Sequence, residues 1–138
     1  LFGDNLTLFD MLKMFVFHGS KLQPLTIRIY SRSDAKRAGF VCLYENYIVI
    51  DFEEKSDKPI SEVGSGGIYM ADNRIFDYYP KQLDNRSSLA LDLSQHVLPR
   101  LVGKMKAYDS GEFSMDIGTP ESLAEARGHW LQRMHGET

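Results

Sequence analysis

Apolar residues along this chain recur at two periods, and the switches between them lay out its elements. Leu1 and Phe2 would close a buried strand, and Gly3, Asp4 and Asn5 form a turn. Thr7 can cap a helix, with Asp10 three residues on in the place of a capping-box acid. Leu8, Met11, Leu12 and Phe15 make the apolar stripe of that helix; His18 suits its C-terminus as a surface residue, and Gly19 stops it. After Pro24, Leu25, Ile27 and Ile29 alternate with Thr26 and Arg28, the pattern of a half-buried strand. Two apolar runs then flank Tyr44–Asn46 as a hairpin, and Ile68 and Met70 mark a strand entered through Gly64, Gly66 and Gly67. A helical turn over 74–79 ends at Pro80. Leu89, Leu91, Leu93, Val97 and Leu98 predict an amphipathic helix interrupted at Pro99, with His96 as a partly buried helix residue. Residues 104–108 and 112–116 are expected to pair as a hairpin around Asp109–Gly111.

The final helix is the clearest local signal. Thr119 is a good N-cap, and Pro120 fits the first helical position, where its missing N–H costs nothing. Glu121 lies in the first turn, and Leu123, Ala126, Trp130 and Met134 recur at helical spacing. The preceding strand ends at Asp116, and Gly118 permits the bend between the two. Asp4 repeats this placement, between a strand end and a helix. The carboxyl ends of strands are where open α/β sheets bind ligands. Taken alone, each aspartate is equally a turn former.

Composition narrows the classes. The chain has 138 residues, enough for one domain with a real core; 43% are hydrophobic and 25% charged, which is ordinary for a globular protein. A net charge of −3 gives no basic field for nucleic acid. Cys42 is the single cysteine, which excludes an internal disulfide and a cysteine-rich zinc site, and its apolar setting points to a buried strand. No apolar stretch reaches the length of a membrane span, and no signal peptide pattern is visible, so a cytoplasmic location is expected. The chain opens on Leu1 in the middle of a strand pattern, and a fragment is therefore expected.

Residues 116–126, DIGTPESLAEA, resemble the C-terminal signature of sugar-1-phosphate nucleotidyltransferases, the nucleoside-diphosphate-sugar pyrophosphorylases. The order of the remaining motifs resembles the same family: Gly-Asp-Asn at 3–5, a glycine before the hairpin, Glu-Lys after it, Gly-Ile-Tyr at 67–69, Val-Leu-Pro at 97–99. The details are most similar to mannose- or heptose-1-phosphate guanylyltransferases. The resemblance implies a three-layer α/β/α sandwich with a Rossmann-like mixed sheet, of which residues 1–138 form the C-terminal part. It implies that Asp4 and Asp116 hold a catalytic Mg²⁺. It places Gly39 against the sugar, Glu54 on sugar hydroxyls and Lys55 on the sugar phosphate. A carboxylate can accept two hydroxyls, and an ammonium suits a phosphate. Ser65, Gly66 and Gly67 match the family's Asn-Ala-Gly, where small residues let the sugar approach the backbone. The sequence departs from the family at Ser65 and Gly66, and again at Ser56, where the family has the proline that is here delayed to Pro59.

The implied partners are an NTP and a sugar 1-phosphate, with neither nucleic acid nor membrane; a homo-oligomer stays open. The glycine-rich nucleotide loop of the family is not found in this sequence, so residues 1–138 alone are expected to make no NDP-sugar. A second class is a non-catalytic regulatory or partner-binding relative with the same fold. A third, a glycosyltransferase with a carboxylate–metal site, lacks its usual Asp-x-Asp.

Overall fold

The computed structural model describes residues 4–20, 22–31, 39–53, 61–80, 91–111 and 114–134. Strand β1 is Asn5–Thr7 and helix α1 is Met11–Gly19. Strands β2 (Leu25–Ser31), β3 (Phe40–Tyr44), β4 (Ile48–Glu53) and β5 (Val63–Ala71) follow. Strands β6 (Met105–Asp109) and β7 (Ser114–Asp116) then lead to helix α2 (Pro120–Met134). The expected strand at Leu1 and Phe2, and Leu89, lie outside the described residues.

Strand β2 pairs antiparallel with β5 and parallel with β6; β3 pairs antiparallel with β4 and β5, and β4 antiparallel with β6. The sheet is mixed, as expected of an α/β fold. Its five strands follow the order β2-β5-β3-β4-β6 and return to β2. Among the described residues two of the joins are single ladder pairs, Phe40 with Gly64 and Ile48 with Lys106, and the sheet curls round on itself. The parallel β2–β6 pair needs a crossover, which the stretch after β5 supplies.

The half-buried reading of β2 is corrected. Residues 25–29 are all buried, and Thr26 and Arg28 are 0% exposed. β2 has a hydrogen-bonded neighbour on each side, and both of its faces are covered, as in the interior strands of α/β sheets. Leu25, Ile27 and Ile29 enter a core with Val41, Val49, Leu98, Leu101 and Met105. Burial of one such aliphatic side chain stabilises by about 1.5–3 kcal/mol.

Helix α1 starts later than the sequence predicts. Residues 5–7 are drawn into β1, and Asp10, not Thr7, caps the helix, its carboxylate accepting the Lys13 N–H at 3.1 Å. The buried face also differs from the expected stripe. Met14 is buried, while Leu8, Met11, Leu12 and Phe15 are exposed. Phe17 packs on Tyr108 with ring centroids 5.1 Å apart, so the inner face is Met14, Phe17 and His18 at i, i+3 and i+4.

His18 is accordingly half-buried, with Nδ1 2.9 Å from the hydroxyl of buried Thr26. Burial holds its imidazole pKa below the usual 6.5; the Asp72 carboxylate opposes that shift and Arg74 adds to it. The folded state therefore favours neutral His18, while the unfolded chain takes a proton near 6.5. The stability it contributes is present above that value and is lost as the pH falls toward the lowered folded pKa. His18→Asn is expected to show a smaller drop in denaturant midpoint than wild type between about pH 7.5 and about pH 5.5. Equal drops would assign the acid sensitivity to other groups.

Three further expectations change. β7 pairs with β1, not β6, because β6 already has β2 on one side and β4 on the other. The helix expected around Leu93–Leu98 is one π-type turn, Leu93–Val97, followed by a 3-10 turn, Leu98–Leu101; Pro99 cannot donate to a continuing α-helix. In α2 the residues turned inward are Ser122 and Ala126, with Leu123 exposed.

Candidate active site

The β1–β7 ribbon joins the two aspartates. Asn5 stands opposite Asp116 in an antiparallel register, which puts Asp4 beside the end of β7. The Ile117 N–H donates to the Asp4 carbonyl at 2.7 Å and locks the pairing one step further. Past Asp116 the chain turns sharply, and the Gly118 N–H donates to Asp116 Oδ1 at 2.7 Å, an Asx turn. Thr119 then opens α2. Its Oγ1 accepts the Ser122 N–H at 3.1 Å, and Ser122 Oγ accepts the Thr119 N–H at 3.1 Å, a reciprocal cap with serine in the usual Glu place.

Gly118 shows how closely the carboxylates converge. A Cβ there would lie 3.1 Å from Asp116 Oδ1 and 3.2 Å from Asp4 Oδ2. Both oxygens thus border one point, from two residues 112 positions apart in sequence. Like charges so placed repel, and a cation between them relieves the repulsion. Among the described residues neither carboxylate has an ion-pair partner, and no third His, Cys, Asp or Glu joins them. Two hard oxygen donors, one exposed and one half-buried, fit Mg²⁺, which commonly takes one or two carboxylates and fills its shell with water and substrate phosphates.

The second group of predicted residues meets on β5. The Ser65 N–H donates to the Gly39 carbonyl at 2.8 Å, which fixes Gly39 against the strand. Along β2 and β5 the register runs Ile27 opposite Tyr69, then Ile29 opposite Ser65. Gly66, Gly67 and Ile68 therefore face the single residue Arg28, a bulge with two extra residues in β5. The glycines lie inside the strand and do not lead into it, which corrects the sequence reading. Gly67 has φ +65°, a conformation that disfavours side chains. A Cβ on Gly66 would lie 3.1 Å from Arg28 Nη1 and 3.2 Å from the Arg28 carbonyl oxygen, so only glycine packs there without displacement. Glu54 and Lys55 lie outside the described residues, immediately after β4.

Two residues escaped the sequence reading. Gly118 was legible only as a bend, although its place two residues after Asp116 was the available signal. Arg28 was legible only as the polar side of an alternating strand. His96 belongs to neither group; its Nδ1 lies 3.0 Å from the Asp92 carbonyl oxygen.

Residues 1–133 match the family model described as nucleotidyl transferase. The glucose-1-phosphate adenylyltransferase of Clostridium beijerinckii is 30% identical over 131 residues, covering 91% of this chain and 34% of that protein. The enzyme of the same description from Clostridioides difficile is 29% identical over 132 residues, with the same coverage of 91% and 34%. A glucose-1-phosphate thymidylyltransferase from Bacillus anthracis, solved in complex with a sucrose, superposes with a TM-score of 0.75 and 25% identity, covering 91% of this chain and 51% of that one. HddC from Yersinia pseudotuberculosis superposes with a TM-score of 0.69 at 23% identity, covering 93% and 52%, a likeness of fold. The chain thus spans about a third of the length of these curated relatives and about half of these solved structures. With the matched model running through both aspartates and the glycine bulge, the chain belongs to the nucleotidyl transferase family of sugar-1-phosphate nucleotidyltransferases.

Proposed function

We propose that this chain is the C-terminal part of a nucleotidyltransferase domain that converts an NTP and a sugar 1-phosphate into an NDP-sugar and pyrophosphate. The observation that supports it most is the convergence of Asp4 and Asp116 on the space beside Gly118. In this reading the two carboxylates hold Mg²⁺, helped by Gly118, whose missing side chain leaves the space between them open. When bound, the ion supplies charge neutralisation at the reacting phosphates. The sugar phosphate attacks the α-phosphorus of the NTP in line, and pyrophosphate leaves. No side chain has to remove a proton, because the attacking phosphate is already ionised.

The chain's own contribution is positioning. In this reading the Gly66–Gly67 stretch forms part of the wall that meets the sugar, and the Gly39–Ser65 hydrogen bond fixes that wall. Glu54 and Lys55, in the roles the family resemblance gives them, meet sugar hydroxyls and the sugar phosphate. Pyrophosphate release by the complete gene product, measured over the four NTPs and several sugar 1-phosphates, tests the reading. Release is expected only when an NTP, a sugar 1-phosphate and Mg²⁺ are all present. Absence of release with every pair would favour a non-catalytic relative.

A further inference from the structure

Among the described residues Arg28 is the largest fully buried side chain, at 0% exposure in the middle of β2. Its contacts join three segments. Its Nε–H donates to Ser110 Oγ at 3.0 Å, and Ser110 lies between the end of β6 and the start of β7, the strand that delivers Asp116. Its guanidinium carbon stands 5.3 Å from the centroid of the Phe9 ring, and Phe9 lies just after β1, the strand that follows Asp4. Its Nη1 and its backbone carbonyl fill the space where a side chain on Gly66 would go, directly behind the bulge.

Among the described residues the carboxylate ribbon and the curled sheet share no strand pairing. Side-chain contacts therefore help fix one against the other, and Arg28 reaches both chain segments at the Thr7–Ser114 end of the ribbon, the end opposite the aspartates, and the glycine bulge at once. A planar guanidinium suits this task, because its donors point in fixed directions and its face stacks on an aromatic ring. A lysine in its place would offer one rotatable ammonium.

We propose that Arg28 is a positioning residue that sets the separation between the Asp4–Asp116 pair and the sugar-phosphate wall at Gly66–Gly67. The proposal rests on the nucleotidyltransferase reading above. It makes Arg28 matter for the sugar phosphate's approach to the metal end, and little for NTP binding. A misplacement of about 1 Å between reacting groups can cost about 100-fold in rate.

The test uses the complete gene product carrying Arg28→Met, Ser110→Ala and both together. Methionine keeps an unbranched stem in the core while removing the guanidinium and its bond to Ser110. Arg28→Met is expected to lower kcat/KM for the sugar 1-phosphate by about 10- to 100-fold, with KM for the NTP within about twofold of wild type. Ser110→Ala is expected to lower the same parameter less, and the double variant to fall no further than Arg28→Met, because both remove one linkage. A sugar-phosphate kcat/KM within about twofold of wild type in Arg28→Met overturns the proposal, as does an equal loss on the NTP side. Should Arg28→Met fail to fold, an unchanged Ser110→Ala overturns it. An inactive wild type overturns the functional reading and this proposal together; an active wild type with unaffected variants overturns this proposal alone.

Discussion

Asp116→Asn is expected to lower NDP-sugar synthesis about 10³-fold while leaving the fold intact. Asparagine keeps a side-chain oxygen where Asp116 Oδ1 accepts the Gly118 N–H at 2.7 Å, so the turn into α2 can persist. What it removes is one of the two negative charges that converge beside Gly118. In the metal-free protein that loss relieves repulsion, and the melting temperature should stay level or rise. With substrates present, the same loss weakens the hold on Mg²⁺. A metal that stabilises transition-state charge contributes several kcal/mol, so a loss of about 4 kcal/mol corresponds to about 10³-fold in rate. Pyrophosphate release and thermal melting, read on the same preparation, separate the two effects. Retained turnover would remove Asp116 from the metal site.

Gly118→Ala is expected to disturb the same pair by a different route. The new methyl group would sit 3.1 Å from Asp116 Oδ1 and 3.2 Å from Asp4 Oδ2, tighter than ordinary contact. Asp116 Oδ1 cannot swing away without losing its bond to the Gly118 N–H, so the pair must spread. Both charges remain, but the space between them is filled. A loss of about 10- to 100-fold in activity is expected, the size seen when the support of a metal ligand is disturbed. The Mg²⁺ concentration for half-maximal rate should rise. An unchanged Mg²⁺ dependence would show that the ion, if bound, sits elsewhere.

The parts of this molecule legible in the sequence were those encoded locally. Thr119, Pro120 and the residues after them specify a capped helix, and Asp116 and Asp4 stand at strand ends because turn chemistry marks those ends. Which strands pair is a different matter. Period-two patterning identifies β1, β6 and β7 as extended or leaves them unmarked, but carries no address for a partner, so β7 was assigned to β6 and lies against β1. Burial of Thr26 and Arg28 was illegible for a related reason: it depends on what covers the second face of β2. The stripe on α1 misled because the face a helix buries is set by what it docks against, here burying Met14 and exposing Leu12 and Phe15. The glycine bulge could not be read from 64–67 alone, since a bulge is defined by the opposite strand, here at Arg28. Gly39 and Ser65 entered separately, through family resemblance; the backbone hydrogen bond that joins them depends on how β3 and β5 pair and had no signal in the sequence.

The central claim is that Asp4 and Asp116 serve one ion in one reaction. It is tested most directly by pyrophosphate release from the complete gene product, with an NTP and a sugar 1-phosphate, in wild type, Asp4→Asn, Asp116→Asn and the double variant. Two groups acting as a unit are strongly non-additive. The predicted result is that each single variant loses about 10³-fold and the double variant falls to the same residual rate. Losses that multiply in the double variant, or near wild-type release by either single variant, would contradict it.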